Sequence, residues 1–212
     1  MIYRFNDVFF SYILGRKEQK PVLIDFLNSM LYLDDDENYI VDLDYHHKEF
    51  AYVFKLSAKL NNGIILNIQI DICEDEYYYF DVILKGLDLK LSNFVHIALL
   101  TFNFHEKSDE YFYLGGNNKI NINEGYSICL IEIPKFKCDN IDNPNRREQW
   151  LLYLSGDATE DDLYNLVKIN PYIKEALVLE AIFQSSEQNF YRYESRQKGI
   201  MDRASMIHSM KK

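Results

Sequence analysis

Cysteine is scarce in this chain. Only Cys73, Cys129 and Cys138 occur, and no two of them form a C-x-x-C pair. An odd count without paired spacing argues against a disulfide framework. Cys73 and Cys129 sit in apolar runs, where a thiol behaves as a small hydrophobe, which suits a reducing compartment and a cytoplasmic location. Long apolar runs are missing too. The longest uncharged stretch, LSNFVHIALLTFNFH, falls short of the roughly 20 residues a membrane span needs. The opening MIYRFNDVFF is broken by Asn6 and Asp7, so it lacks the continuous apolar segment of a signal peptide. No membrane partner is expected. Glycine and proline number only 8 and 4, and no low-complexity linker or repeat occurs. Absent as well are a glycine-rich phosphate loop, H-E-x-x-H and G-x-S-x-G.

Positive charge is in deficit, with 23 Lys and Arg against 33 Asp and Glu, for a net charge of −10. A surface that grips nucleic acid everywhere is excluded, whereas a local basic groove is not, because a cleft's field depends on arrangement. What the chain has in abundance is apolar and aromatic surface. Hydrophobic residues make up 48% of its 212 positions, with 17 Tyr and 14 Phe. A chain of this size buries roughly 70% of its unfolded surface, enough for a sizeable core.

The apolar positions Val22, Leu23, Phe26, Leu27, Met30 and Leu31 recur at helical spacing behind Pro21, which suits a first helical turn. The acidic run Asp34–Glu37 reads as a solvated loop, with a cation site as the sharper alternative. Strands are predicted over residues 39–43, 50–60, 64–73, 95–102 and 126–133, with a short one at 111–114. A helix over 76–91 carries the aromatic cluster Tyr77, Tyr78, Tyr79 and Phe80, expected in the core. Beyond Pro134 the pattern turns helical: 150–154, 161–169, 172–183 and the tail from Glu187. Asp157 or Thr159, and Asn170 before Pro171, supply start signals. His46-His47 reads as a turn or strand-entry pair, and His96 as a core residue. This order predicts a mixed sheet with helices packed against it.

The stretch VFKLSAKLNNGIILNIQID, residues 53–71, reads as a hairpin. Phe54, Leu56 and Ala58 alternate with Val53, Lys55, Ser57 and Lys59, and Ile64, Leu66, Ile68, Ile70 and Ile72 alternate with Ile65, Asn67, Gln69, Asp71 and Cys73. Period-two alternation sends one wholly apolar face to the core. The two strands must agree on that face. A three-residue loop Asn61-Asn62-Gly63 with Gly63 left-handed achieves this and sets Lys55 opposite Gln69. A two-residue loop would set Lys55 opposite Ile70 and mix the faces. Lys55, Gln69 and Asp71 therefore form one polar cluster.

Several segments, in order, resemble the PD-(D/E)XK nuclease family transposases, the Rpn-type recombination-promoting nucleases. NDVFFSYILG resembles the family's D-x-x-F…G segment, LIDFLNSML its F-L-N-x-x-L helix, and IALLTFNF a strand ending in an N-F pair. CLIEIPKF is similar to the characteristic I-E-L-P-K-F strand. WLLYL and PYIKEAL…YRYESRQKGIMDRAS resemble the downstream helical segment. The family's active-site hairpin runs roughly D-I-K-A…D-G…N-I-E-x-Q, and Ala58, Gly63, Asn67 and Ile68 anchor the alignment. The resemblance implies a restriction-endonuclease-like α/β core with a mixed central sheet over residues 1–140 and a helical C-terminal extension over 141–212. It implies DNA as partner, a Mg²⁺ cofactor and endonuclease chemistry.

The catalytic positions that the resemblance assigns are Lys55 for the family's Asp, Gln69 for its Glu, and Asp71 for its terminal Gln (Lys in the wider superfamily). All three are substituted. A unit charge pair at 4 Å is worth about 4 kcal/mol at an effective dielectric of 20, so Lys55 would repel a dication on that scale. The expected arrangement is a Lys55–Asp71 ion pair with Gln69 hydrogen-bonded beside it. Asp71 is the one remaining metal-ligand candidate, and Mg²⁺ is expected not to bind. Displaced acids (Asp71, Glu74, Asp75, Asp81) are the alternative way to a metal. For nucleic acid, the candidates are Arg192, Arg196, Lys198 and Arg203 in the basic tail. Three readings follow: a degenerate member that keeps the scaffold and its binding, an active metal-dependent DNA endonuclease, or a protein-interaction module with a protein partner.

Overall fold

The computed structural model describes residues 2–31, 33, 38–46, 53–76, 79, 93–105, 112–114, 126–138 and 140–210. The acidic run 34–37, His47, most of the helix expected over 76–91, and Asp81 lie outside them. Two helices open the chain where one apolar pattern was read, α1 (Asp7–Leu14) and α2 (Lys20–Met30). Asn6 starts α1, its side-chain oxygen accepting from the Val8 and Phe9 amides at 3.0 and 3.4 Å. Gly15 ends it at a close approach. A Cβ there would lie 2.8 Å from the Ser11 carbonyl oxygen and 3.0 Å from the Phe54 ring.

Among the described residues six strands follow: β1 (Ile40–Tyr45), β2 (Val53–Leu60), β3 (Ile65–Cys73), β4 (Phe94–Leu100), β5 (Phe112–Leu114) and β6 (Tyr126–Glu132). They form one sheet in the order β1-β2-β3-β4-β6-β5. The first three pair antiparallel, β3–β4 and β4–β6 pair parallel, and β5 returns antiparallel on β6. Four helices complete the chain: α3 (Arg146–Ser155), α4 (Glu160–Ile169), α5 (Pro171–Ser185) and α6 (Glu187–Met210). α3 begins earlier than its apolar run because Asn145 and Glu148 form a capping box, and Gly156 in the left-handed region closes it. Thr159 rather than Asp157 caps α4, with Asp162 as its reciprocal partner. This is the mixed sheet flanked by helices, with a helical C-terminal region, that the resemblance implies.

One face of the sheet carries Phe54, Leu56, Ala58, Leu66, Ile68, Ile70, Val95, Ile97, Leu99, Cys129 and Ile131, all buried. They belong to one apolar cluster with Phe9, Phe10, Val22, Phe26, Trp150, Ile173 and Phe183, so the core runs continuously across residues 140 and 141. The opposite face is divided. Cys73, Tyr79, Ala98, Leu100 and Leu130 make a smaller apolar cluster, and polar side chains occupy the β2–β3 half.

Buried charges tie these layers together. Asp25, only 3% exposed, accepts from the Trp150 indole N–H at 2.8 Å and from the Asn170 amide at 3.4 Å, and pairs with Arg146. It thus joins α2 to α3 and to the start of α5. Arg4 grips Glu180 with two hydrogen bonds of 2.8 and 3.1 Å, donates to the Tyr153 carbonyl and lies over the Tyr153 ring. Glu132 ends β6 fully buried. Its oxygens accept from the Phe104 amide at 2.8 Å, from the His105 ring at 2.6 Å and from Lys135 at 2.9 Å. Those contacts clamp the segment after β4 to the end of β6, while Phe136 enters the core. That is the physical content of the IEIPKF stretch here. Burial works to raise the Glu132 pKa, but the hydrogen bonds from Lys135, His105 and the two backbone amides overcome it and hold the carboxyl below its ordinary value.

Replacing Asp25 with Ala strands the Trp150 donor in the core, and urea unfolding should register a loss on the order of 3 kcal/mol. Asp25→Asn, which keeps an acceptor, should cost clearly less. For Glu132 the folded pKa is depressed, so its contribution is present above the unfolded carboxylate value of about 4.3 and is lost as pH falls through the folded one. The stability gap between the protein and Glu132→Gln should therefore be widest near neutrality and shrink on acidification. A gap independent of pH would refute this.

Candidate functional site

Burial of the apolar face decides the β2–β3 register. Phe54 pairs with Ile70, Leu56 with Ile68 and Ala58 with Leu66, which sets Lys55 against Gln69 and Ser57 against Asn67. Gly63 makes the turn possible with φ of +88°, and the Leu60 amide donates to the Ile64 carbonyl at 2.9 Å. Lys55, Gln69 and Asp71 lie on the same face, at very different depths. Lys55 is exposed on β2. Gln69 is 9% exposed and Asp71 is completely buried on β3, between two neighbouring strands.

The partner of Asp71 is not the expected one. Directly across β2 it faces the apolar Val53. Its partner comes from the other side, where the parallel register of β4 sets His96 beside Gln69. The Nε2–H of His96 donates to Asp71 Oδ2 at 2.9 Å, and the Gln69 amide donates to the same oxygen at 2.7 Å. Among the described residues, Asp71 Oδ1 has no hydrogen-bond partner. The Lys55–Asp71 pair is therefore corrected to a buried Asp71–His96 pair with Gln69 beside it. His96 is a core residue as expected, 1% exposed, but its hairpin partner was not legible. The only signal was a lone histidine in an apolar strand.

The polar row continues outward. His46 donates its backbone amide to the Lys55 carbonyl at 2.8 Å, and its ring lies 2.7 Å from the Ser57 hydroxyl. Ser57 in turn donates to the Asn67 side chain at 3.3 Å. His46, Ser57 and Asn67 thus border Lys55 and Gln69.

The arrangement does not fit a Mg²⁺ ion. Magnesium demands near-octahedral oxygen ligands and sheds water reluctantly. Here Lys55 offers an ammonium, Gln69 a neutral amide, and Asp71 a carboxylate with one oxygen already accepting two hydrogen bonds. Among the described residues, no group of three His, Cys, Asp or Glu is placed to hold a metal ion.

The neighbouring acids are engaged. Arg196 of α6 bridges Asp7 Oδ2 at 2.7 Å and Glu74 Oε1 at 2.8 Å, and Arg203 pairs with Asp75 at 3.1 Å. Burial raises the pKa of both Asp7 and Glu74, and Arg196 works against that rise. Of the four basic tail residues, then, Arg196 and Arg203 pair with these acids, and Arg192 and Lys198 lie at exposed positions of α6. Cys73 and Cys129 are buried free thiols; burial pushes Cys129 up to about 12. No helix among the described residues is long and apolar enough to cross a membrane.

No curated protein matches the chain, and no solved structure does. A family model does. The hairpin register, the parallel β3–β4–β6 ladder and the Glu132 clamp all lie within residues 4–210, which match the model described as PD-(D/E)XK nuclease family transposase, and the chain belongs to that family.

Proposed function

We propose that this protein is a catalytically degenerate member of its family, one that keeps the nuclease scaffold and DNA as its partner without hydrolysing it through Mg²⁺. The observation that carries this reading is the fate of Asp71. The one carboxylate of the trio is fully buried and hydrogen-bonded to Gln69 and His96, and it shares its face with Lys55, at the position where the resemblance would set an aspartate. Metal-assisted hydrolysis needs an ion that polarises the phosphate and lowers the pKa of its bound water. A hairpin that presents an ammonium and an amide does not supply that ion's ligands. The route through displaced acids is disfavoured for the same kind of reason, since Glu74 and Asp75 already have arginine partners.

Nicking of supercoiled DNA, with and without EDTA, tests the reading. The unmodified protein should show no magnesium-dependent cleavage. The variant Lys55→Asp, Gln69→Glu, Asp71→Lys (or Asp71→Gln) restores two acids at opposed positions and should gain it. Magnesium-dependent nicking by the unmodified chain, abolished by Asp71→Ala, would overturn the proposal.

A structural role for Asp71 carries its own expectation. In a double-mutant cycle, Asp71→Asn and His96→Ala should be coupled by about 1–3 kcal/mol in unfolding free energy. Additive effects would mean that the pair is not holding β3 to β4.

A further inference from the structure

We propose that α6 is a DNA-binding helix held shut by the protein's own carboxylates, with Asp7, Glu74 and Asp75 standing in for backbone phosphates. The inference rests on the DNA reading above and concerns how that binding is controlled.

Three arginines of α6, Arg192, Arg196 and Arg203, recur at spacings of four and seven residues and therefore share one side of the helix. Two of them are turned onto the body. Arg196 donates from its Nε to Asp7 and from a terminal nitrogen to Glu74, and Arg203 donates to Asp75. Guanidinium uses the same forked donors for carboxylate and for phosphate, so the ligands exchange without any change in the helix.

Among the described residues, the rest of the docking joins one aromatic anchor to a few polar contacts. Tyr193 is the one buried apolar side chain of α6 among the described residues. Beside it, the Tyr3 amide donates to the Tyr193 hydroxyl at 2.9 Å, and Asn6 donates to Gln197 at 3.2 Å. Residues 201–206 are exposed altogether. A helix held by exchangeable polar contacts opens more readily than one held by a core. Arg196 and Arg203 keep 28% and 50% side-chain exposure even while docked, which leaves both within reach of a competing anion.

Charge points to the kind of competitor. Residues 191–212 carry six basic side chains against Glu194 and Asp202, in a chain whose net charge is −10. A polyanion gains counterion release by taking arginines away from isolated carboxylates, a gain that a neutral or cationic partner lacks. Asp7 is 6% exposed, its Oδ1 lacks a hydrogen-bond partner among the described residues, and burial raises its pKa and that of Glu74.

The experiment measures affinity of the full chain for a labelled DNA duplex across a salt series. Asp7→Asn/Glu74→Gln/Asp75→Asn should bind at least roughly tenfold tighter, because a larger fraction has α6 available. Its salt dependence should steepen by about two phosphate contacts. An equal charge change on exposed residues elsewhere, Asp157→Asn/Glu160→Gln/Asp161→Asn, should tighten binding far less. Adding Arg196→Ala/Arg203→Ala to the triple variant should abolish the gain. If the triple variant does not fold, Asp75→Asn alone releases Arg203 and should tighten binding roughly threefold. DNA binding by the unmodified chain with no gain in the carboxylate variants, or an equal gain in the remote control, overturns the latch and leaves the DNA reading standing. No binding by any of these proteins at low salt removes that reading as well.

Discussion

Burial of one apolar sheet face is the constraint on which the rest of the structure depends. Phe54, Leu56 and Ala58 on β2 and Leu66, Ile68 and Ile70 on β3 must all reach the helices α1, α2, α3 and α5, and a slip of one residue would expose them. Everything on the opposite face follows from that choice. Lys55 meets Gln69 because Phe54 and Leu56 must meet Ile70 and Ile68, and Asp71 enters a central strand because Ile70 and Ile72 do. The polar row was positioned by its apolar neighbours rather than by any attraction among its members.

Once a carboxylate is carried into the interior in this way, it has to be paired there. Asp71 is satisfied on one oxygen by His96 and Gln69. The same demand is met elsewhere: Asp25 by Trp150, Asn170 and Arg146, Glu180 by Arg4 and Tyr153, and Glu132 by His105, Lys135 and two backbone amides. Each of these sets spans elements far apart in the chain. Such pairs add little net stability over an apolar core, but breaking one exposes an uncompensated charge, so they enforce the mutual placement of the layers. The Arg4–Glu180 pair joins the first residues to α5, and Arg196 joins α1 and the end of β3 to α6. The C-terminal helices are held against the core by charge as well as by apolar packing.

Much of this was legible in the amino-acid order, and for a physical reason. Hairpin register is local: two strands joined by Asn61-Asn62-Gly63 must share one apolar face, and of the two loop lengths that Gly63 allows, only the three-residue one makes the faces agree. Helix starts at Thr159 and Asn170 are likewise local, since each cap bonds amides two or three residues on.

The partner of Asp71 was decided by the tertiary structure alone. Lys55 was the nearest opposite charge within the hairpin, but it lies at the exposed end of the row, while Asp71 faces Val53 across the antiparallel pairing and meets His96, the β4 partner of Gln69, on its other side. That pairing crosses more than twenty residues of chain, and no local pattern states the register of a parallel neighbour. The arginines of α6 repeat the lesson. Their spacing marks a basic helix face, yet only packing against Asp7, Glu74 and Asp75 determined that this face turns toward the protein's own carboxylates. Sequence determined which side chains share a face, because alternation and helical period are properties of the backbone. Tertiary structure decided which charges meet, because that depends on where separately folded elements come to rest.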